Sequence, residues 1–324
     1  MNKSPQSTVH SPQSAIICSV LCTLYSVLTL CGCQSQNKTL YKDTQVMMGT
    51  FVEVISPDKR AARIVFSEIK RIEDLLSIYR PDSEISRLNE QGKLYASPDT
   101  LYIIRKAKEF GEVTGGTFDI TVGPLMNLWG FKDKKYYIPK DEEIKNILNL
   151  VDFDKISLDN TKNMIEFQVS GMQIDLGGIA KGYAVDCAVK RLKEKGIQSC
   201  LINAGGQIYC LGDKFGQPWR ISIRNPRDEG SAGYLELKDR AVATSGDYEQ
   251  YFIKDKKRYA HILNPKTGYP VNSGITSVTV IAPDGLTADA LTTAIFVLGK
   301  ENGEKLAKEF PGVELKIIEE KDVP

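Results

Sequence analysis

Ile174-Asp-Leu-Gly-Gly-Ile-Ala-Lys-Gly-Tyr-Ala-Val-Asp186 joins an apolar run to a double glycine and then to a helical pattern. Beyond the glycines, Ile179, Tyr183, Val185, Cys187, Val189 and Leu192 fall on or near one helix face. The pattern stops at Gly196 behind Lys190, Arg191, Lys193 and Lys195, which are ordinary helix-ending signals. The start of such a helix leaves backbone N–H groups without partners and carries the positive end of the macrodipole, so it suits a phosphate. Asp175, at the end of an expected strand, and Lys181, in the first helical turn, would point into the same cleft. Glycine spacing by itself is a weak signal, and the plainer reading of Gly177, Gly178 and Gly182 is close packing between strand and helix.

The segments on either side decide the fold class. Strands are expected at 155–158, 164–169 and 173–176 before this helix, and at 199–202, 207–211, 219–224, 234–237, 250–254 and 275–281 after it. A strand pair or bent strand is expected over 41–55 and a last strand over 314–318. Helical patterns cover 58–77, with Val65, Ile69, Ile72 and Leu76 at helical spacing, and the stretch that Ser97-Pro98 opens as N-cap and first residue. Further helices are expected at 139–150, 287–298 and 302–310. So many short strands in succession predict an α+β fold, a mainly antiparallel sheet with packed helices, over a doubly wound parallel one. From residue 40 there is no internal repeat, low-complexity stretch or convincing linker, so 40–324 reads as one domain.

The composition is that of an ordinary folded protein: 324 residues, 42% hydrophobic and 26% charged, with 42 Lys+Arg against 41 Asp+Glu. Setting Lys3 aside with the N-terminal segment leaves 41 basic against 41 acidic residues. Nothing in a formally neutral chain of this kind suggests a nucleic-acid surface. Residues 15–30 form an apolar and small-residue run behind a weakly basic start, too short for a comfortable membrane span, which fits a signal-peptide core. It ends in Leu30-Cys31-Gly32-Cys33, which resembles a bacterial lipobox. Residues 1–32 are therefore expected to be a lipoprotein signal peptide, Cys33 the lipidated first residue of the mature chain, and 33–39 a lipidated tether. The expected location is the cell envelope, lipid-anchored to a bacterial membrane and facing outside the cytoplasm, on the periplasmic face.

Of seven cysteines, lipidation and signal removal leave Cys187, Cys200 and Cys210, which read as small buried residues and not as zinc ligands. Asp289 and Thr293, spaced i, i+4 on a helix, present two oxygens on one face and could share a hard cation; taken alone, such a pair is more often a surface carboxylate and a first-turn hydroxyl. His261 is one of two histidines, and since His10 lies in the signal segment it is the mature chain's single imidazole, set beside Asn-Pro and Thr-Gly turns. A lone histidine is usually structural; its neighbourhood argues for proton transfer.

Together these stretches resemble the ApbE family of bacterial flavin transferases. The resemblance rests on ordered motifs: Met48-Gly49-Thr50, Ser77-x-Tyr79, Gly116-x-Phe118-Asp119-Ile120-Thr121-Val122-Gly123-Pro124-Leu125, the Asp175 to Gly182 stretch, Asn203-Ala-Gly-Gly206, His261-x-x-x-Pro-x-Thr-Gly268, and Thr287-Ala-Asp-Ala-Leu-x-Thr293. It implies an ApbE-like flavin transferase fold and magnesium-dependent transfer of FMN from FAD to a threonine hydroxyl of a target flavoprotein, with AMP released. Carried over by motif, the flavin contacts fall on Met48, Tyr79, Thr117, Phe118, Asp119, Asp175, Lys181 and Leu263. The Mg2+ ligands fall on Asp289, Thr293 and the carbonyl of Gly178, with Thr292 near the ion. His261 is the expected base for the threonine proton, with Asp289 or metal-bound hydroxide as the alternative. The expected partner is an exported acceptor flavoprotein subunit carrying a threonine acceptor motif. Two other activities stay open on the same residues: FAD pyrophosphatase action giving FMN and AMP, and flavin binding without turnover.

Overall fold

Strict alternation of apolar side chains lets one sheet serve two cores. On Cys200 to Ala204 and Gln207 to Leu211, the residues Cys200, Ile202, Tyr209 and Leu211 join the main core while Leu201 and Cys210 join a second one behind it. That is the period-two signature of a sheet covered on both faces. The computed structural model describes Met1 and residues 38–322; the expected signal peptide, the lipidation site Cys33 and the tether up to residue 37 lie outside the described residues. The chain divides into Met1–Thr39 and Leu40–Pro324, the second a compact unit.

In chain order, β1 (Tyr41–Met47) and β2 (Thr50–Ser56) lead into α1 (Ala61–Leu76), α2 (Glu84–Gln91), β3 (Lys93–Tyr95) and α3 (Pro98–Val113). Then come α4 (Gly123–Leu128), α5 (Asp141–Leu148), β4 (Ile156–Asp159), β5 (Met164–Phe167) and α6 (Ala180–Glu194). Next are β6 (Cys200–Ala204), β7 (Gln207–Leu211), β8 (Trp219–Arg224), β9 (Ser231–Leu237), β10 (Arg240–Gly246), β11 (Tyr251–Lys254) and β12 (Lys257–Ala260). The chain closes with β13 (Ile275–Ala282), α7 (Gly285–Leu298), α8 (Lys300–Ala307) and β14 (Glu314–Glu319).

The main sheet has seven strands in the order β1-β2-β6-β7-β10-β13-β14. Each neighbouring pair is antiparallel. The fold is thus a mix of helices and antiparallel sheet, as the strand pattern predicts. Helices α1, α6 and α7 pack on one face, with α1 against α6 and α6 against α7. The β8–β9 hairpin covers the other through Trp219, Ile221 and Leu237. All of β13 is buried, Thr276, Ser277 and Thr279 included, as befits a strand covered on both faces.

Several expectations shift. Residues 173–176 form no strand. The side chain of Asn89 takes the place of a neighbour: its Nδ2 donates to Ile174 O at 2.9 Å and its Oδ1 accepts from Ile174 N at 2.7 Å. The strands β3, β10 and β12 and the helices α2 and α4 are additions to the sequence reading. β10 carries Ala241 and Ala243, which have low strand preference; their small size leaves room for α7, whose Ala290 and Ala294 belong to the same core. Helix α7 begins at Gly285, two residues ahead of the expected start, because Asp284 Oδ1 accepts the Thr287 N–H at 2.8 Å as its N-cap. Cys187, Cys200 and Cys210 are all free. Burial pushes the thiols of Cys200 and Cys210 up to about 12 and that of Cys187 up to about 11, so they stay protonated and inert.

Candidate active site

The first turns of α6 and α7 meet at the floor of a cleft of about 600 Å³, within the roughly 300–1,000 Å³ range of small-molecule sites. Two glycines let them meet. A Cβ on Gly182 would lie 2.2 Å from the carbonyl oxygen of Gly285, and one on Gly285 would lie 2.7 Å from that of Gly182. The close packing foreseen for Gly182 is therefore real, but it joins helix to helix and not strand to helix. The two helices also cap each other. Asp289 of α7 accepts the Gly182 N–H through Oδ2 at 2.9 Å, while Asp186 of α6 accepts the N–H groups of Gly285 and Leu286 at 2.6 and 2.9 Å. Each carboxylate satisfies amides that its neighbour helix leaves unpaired.

One turn after Asp289, Thr293 points to the same place: its Oγ1 lies 3.0 Å from where a Gly178 side chain would begin. Asp289, Thr293 and the Gly178 main chain thus offer a carboxylate, a hydroxyl and a peptide group along one wall of the cleft. Among the described residues no three His, Cys, Asp or Glu side chains gather as metal ligands. An all-oxygen set with a single carboxylate fits a hard divalent cation that draws its other ligands from phosphate and water. Thr292 lies outside the cleft and is fully buried. Its hydroxyl donates to Asp289 O at 2.7 Å and accepts from Ser245 Oγ at 2.8 Å, so it braces the helix from behind.

Lys181 stands among the carboxylates of Asp289, Glu249 and Asp175, and Asp289 does most to raise its pKa. Burial pushes Asp289 and Asp175 above the usual carboxylate range, against the pull of Lys181. Glu249, a residue the sequence reading passed over, is pushed up to about 7, chiefly by the low dielectric of the cleft walls, although its side chain remains open to the cleft's solvent. It sits in the turn after β10, and without that strand the turn had no place in the sequence reading.

His261 Nδ1 lies 3.1 Å from the carbonyl oxygen of Gln250, and the His261 N–H donates to the same oxygen at 2.9 Å. A carbonyl only accepts, so Nδ1 carries the hydrogen and Nε2 keeps its lone pair. Burial, helped by the nearby charge of Lys181, lowers the imidazole pKa to about 4. The following turn is fixed from below: Trp129 Nε1 donates to Gly268 O at 2.8 Å, and a Cβ at Gly268, whose φ is +76°, would lie 2.4 Å from Ile144. That explains the Thr-Gly ending of this motif.

Met48, Tyr79, Thr117, Phe118, Asp119 and Leu263 line the rest of the cleft. Met48 takes φ 50° and donates its N–H to Glu73 Oε1 at 2.7 Å. Glu73 is a second residue the sequence did not single out, hidden in the amphipathic pattern of α1. Tyr79 is 69% exposed, whereas Phe118 is 3% exposed with its ring edge against Phe110. Both oxygens of Asp119 are already engaged. Oδ1 accepts from Thr121 N and Oγ1 at 2.7 and 2.6 Å, and Oδ2 accepts from Phe153 N at 3.1 Å. The Thr117 hydroxyl donates to Thr114 O at 3.0 Å.

The ApbE family model matches residues 48–317. The FAD:protein FMN transferase of Vibrio cholerae is 35% identical over 302 residues, covering 89% of this chain and 90% of that protein. The FAD:protein FMN transferase of Treponema pallidum is 33% identical over 338 residues, covering 96% and 92%. Among solved structures, the ApbE protein of Thermotoga maritima superposes with a TM-score of 0.82 at 36% identity, over 87% of this chain and 95% of that one. The flavin transferase ApbE of Vibrio cholerae superposes at 0.78 with 32% identity, over 87% and 94%. Matched by the family model across the cleft and both capping helices, and by these relatives along most of their length, the chain belongs to the ApbE family.

Proposed function

We propose that this chain transfers the FMN part of FAD to a threonine hydroxyl of an exported flavoprotein subunit, with magnesium and with release of AMP, while anchored by lipid at Cys33 to the periplasmic face of a bacterial membrane. That it is a transferase, acting from FAD to protein, rests on its relatives in the ApbE family. The finer reading rests on one observation: Asp289, Thr293, Lys181 and a neutral His261 converge on a single cleft.

Magnesium held by Asp289, Thr293 and the Gly178 carbonyl would neutralise pyrophosphate charge and help align the bond to be broken. Lys181 and the N-terminal turn of α6 add positive potential where charge builds on the phosphates. Tyr79, with most of its ring exposed, offers an aromatic face to the flavin or adenine. His261 Nε2 takes the proton as the threonine oxygen bonds to the FMN phosphorus; the bond from that phosphorus to the bridging oxygen breaks, and AMP leaves with the electron pair.

The test is incubation of the enzyme with FAD, magnesium and a purified exported flavin-carrying subunit, followed by denaturing electrophoresis and nucleotide analysis. A fluorescent acceptor band with matching AMP is expected. Free FMN and AMP without label would mean a pyrophosphatase, and unchanged FAD a binding protein. Asp289→Asn keeps an acceptor for the Gly182 N–H while removing the charge, so it should abolish transfer and leave the melting temperature close to the parent's. Full activity of this variant, or of the parent in excess chelator, would remove the metal reading.

A further inference from the structure

Strand β1 is an edge of the main sheet, with β2 on one side and, among the described residues, no strand on the other. Met48 and Gly49 both take positive φ, 50° and 72°, which marks the mirror-image two-residue hairpin turn. Met47 and Thr50 then close the hairpin as a hydrogen-bonded pair, and the alternation of an antiparallel ladder turns the N–H and C=O of Val46, Thr44 and Lys42 outward. The register on the far side agrees. Phe51 O accepts from Gly205 N at 3.2 Å, so Phe51 turns its backbone away from β1, and its cross-strand neighbour Val46 is unbonded within the pair.

This edge is not defended along its length. Sheet edges are normally blunted by charge, proline or bulges. Here the charged Lys42 and Asp43 sit at the end away from the turn, and Thr44-Gln45-Val46 leads uncharged up to it. Val46 and Phe51 face each other across the hairpin at 71% and 70% exposure, and Met48 and Gly49 line the cleft. An open, uncharged strand edge with an apolar pair therefore runs directly into the cleft.

Building on the flavin-transfer reading, we infer that β1 is the docking edge for the acceptor protein, which adds an extended, uncharged segment outside β1 and so carries its threonine past the Met48-Gly49 turn into the cleft. Main-chain hydrogen bonds would supply the affinity, and the Val46–Phe51 pair would select an apolar side chain on the acceptor's facing residue. An added strand also fixes the depth to which the hydroxyl reaches, which a flat contact would not.

The experiment uses the full enzyme, FAD, magnesium and the exported flavin-carrying subunit that the parent labels. Thr44→Pro and Val46→Pro remove outward N–H groups while sparing those bonded to β2; Thr44→Ala and Val46→Ala keep them. Each proline variant should raise the KM for the acceptor by roughly tenfold, the size of one or two lost hydrogen bonds, with FAD affinity and melting temperature near the parent's. Thr44→Ala should transfer as the parent does. Proline variants that fold and label the acceptor at the parent's KM would overturn the inference. So would a parent dimer that the prolines split without changing transfer, since the edge would then belong to a second copy. A second arm needs no variant: a synthetic peptide spanning the acceptor threonine should inhibit transfer, and N-methylation of alternate residues should abolish inhibition in one phase only. Equal inhibition by both phases would mean that no strand is added. A parent that binds FAD yet labels no acceptor would instead remove the flavin-transfer reading itself.

Discussion

The fold keeps His261, the base of the proposed transfer, neutral, and this alters what its pH profile should look like. An imidazole with an ordinary pKa near 6.5 would lose activity in mild acid. Here burial lowers it to about 4, so the neutral form that would accept the threonine proton persists far below neutrality. The acid limb due to this group should fall near pH 4, and transfer at saturating magnesium should be flat from about pH 5.5 to 7 as far as the imidazole is concerned. His261→Ala should slow transfer by roughly 10²–10⁴-fold with little change in FAD affinity, because its role lies in the transition state. A variant at near-parental rate would send the proton to Asp289 or a metal-bound hydroxide. At this scale much was legible: Asp175, Lys181, His261, Asp289 and Thr293 stand out as polar residues beside glycine turns or at helical spacing, Met48 and Tyr79 come only from the family resemblance, and all seven share one cleft. Glu73 and Glu249 were not, because a carboxylate in a helix or turn looks the same whether its oxygens meet solvent or a cleft.

Between α6 and α7 the contact is set by exchange: each helix lends an aspartate to the other's first turn, and each lends a glycine to the crossing. Gly182→Ala puts a methyl 2.2 Å from a backbone oxygen that cannot swing aside. Overpacking of this kind costs about 1–3 kcal/mol or more. The melting temperature should drop by several degrees, and magnesium-dependent transfer should fall with it, since Asp289 and Gly178 can no longer keep their separation. An unchanged melting temperature would mean that the helices slide apart without penalty. The sequence showed both helices and all three glycines, yet not that they touch, since contacts between residues a hundred positions apart leave no periodic trace. The same limit hid β10, whose alanines suit the helix above them better than they advertise a strand.

For the molecule as a whole, location is the first matter. Cys33→Ser cannot form the thioether that a lipid needs, so the variant should lose radioactive palmitate and leave the membrane fraction; retention of both would end the lipobox reading. The described residues contain no helix long and apolar enough to cross a membrane. The order in which the molecule loosens follows from how few bonds hold one segment of the cleft wall. Asn89 bonds both main-chain groups of Ile174 and Ile120 O accepts the Asp175 N–H at 2.7 Å, so the segment leading to Asp175 and Gly178, although buried at Ile174 and Leu176, is held by these few bonds and by no ladder. Proteins open in parts whose cost follows their bonding. The Ile174 amide should therefore exchange with deuterium well ahead of the buried amides of β13, and Asn89→Leu should hasten that exchange without moving the exchange of β13. The cleft wall that carries Asp175 and Gly178 would then hang on two neighbours, Asn89 and Ile120, and would loosen before the sheet behind it.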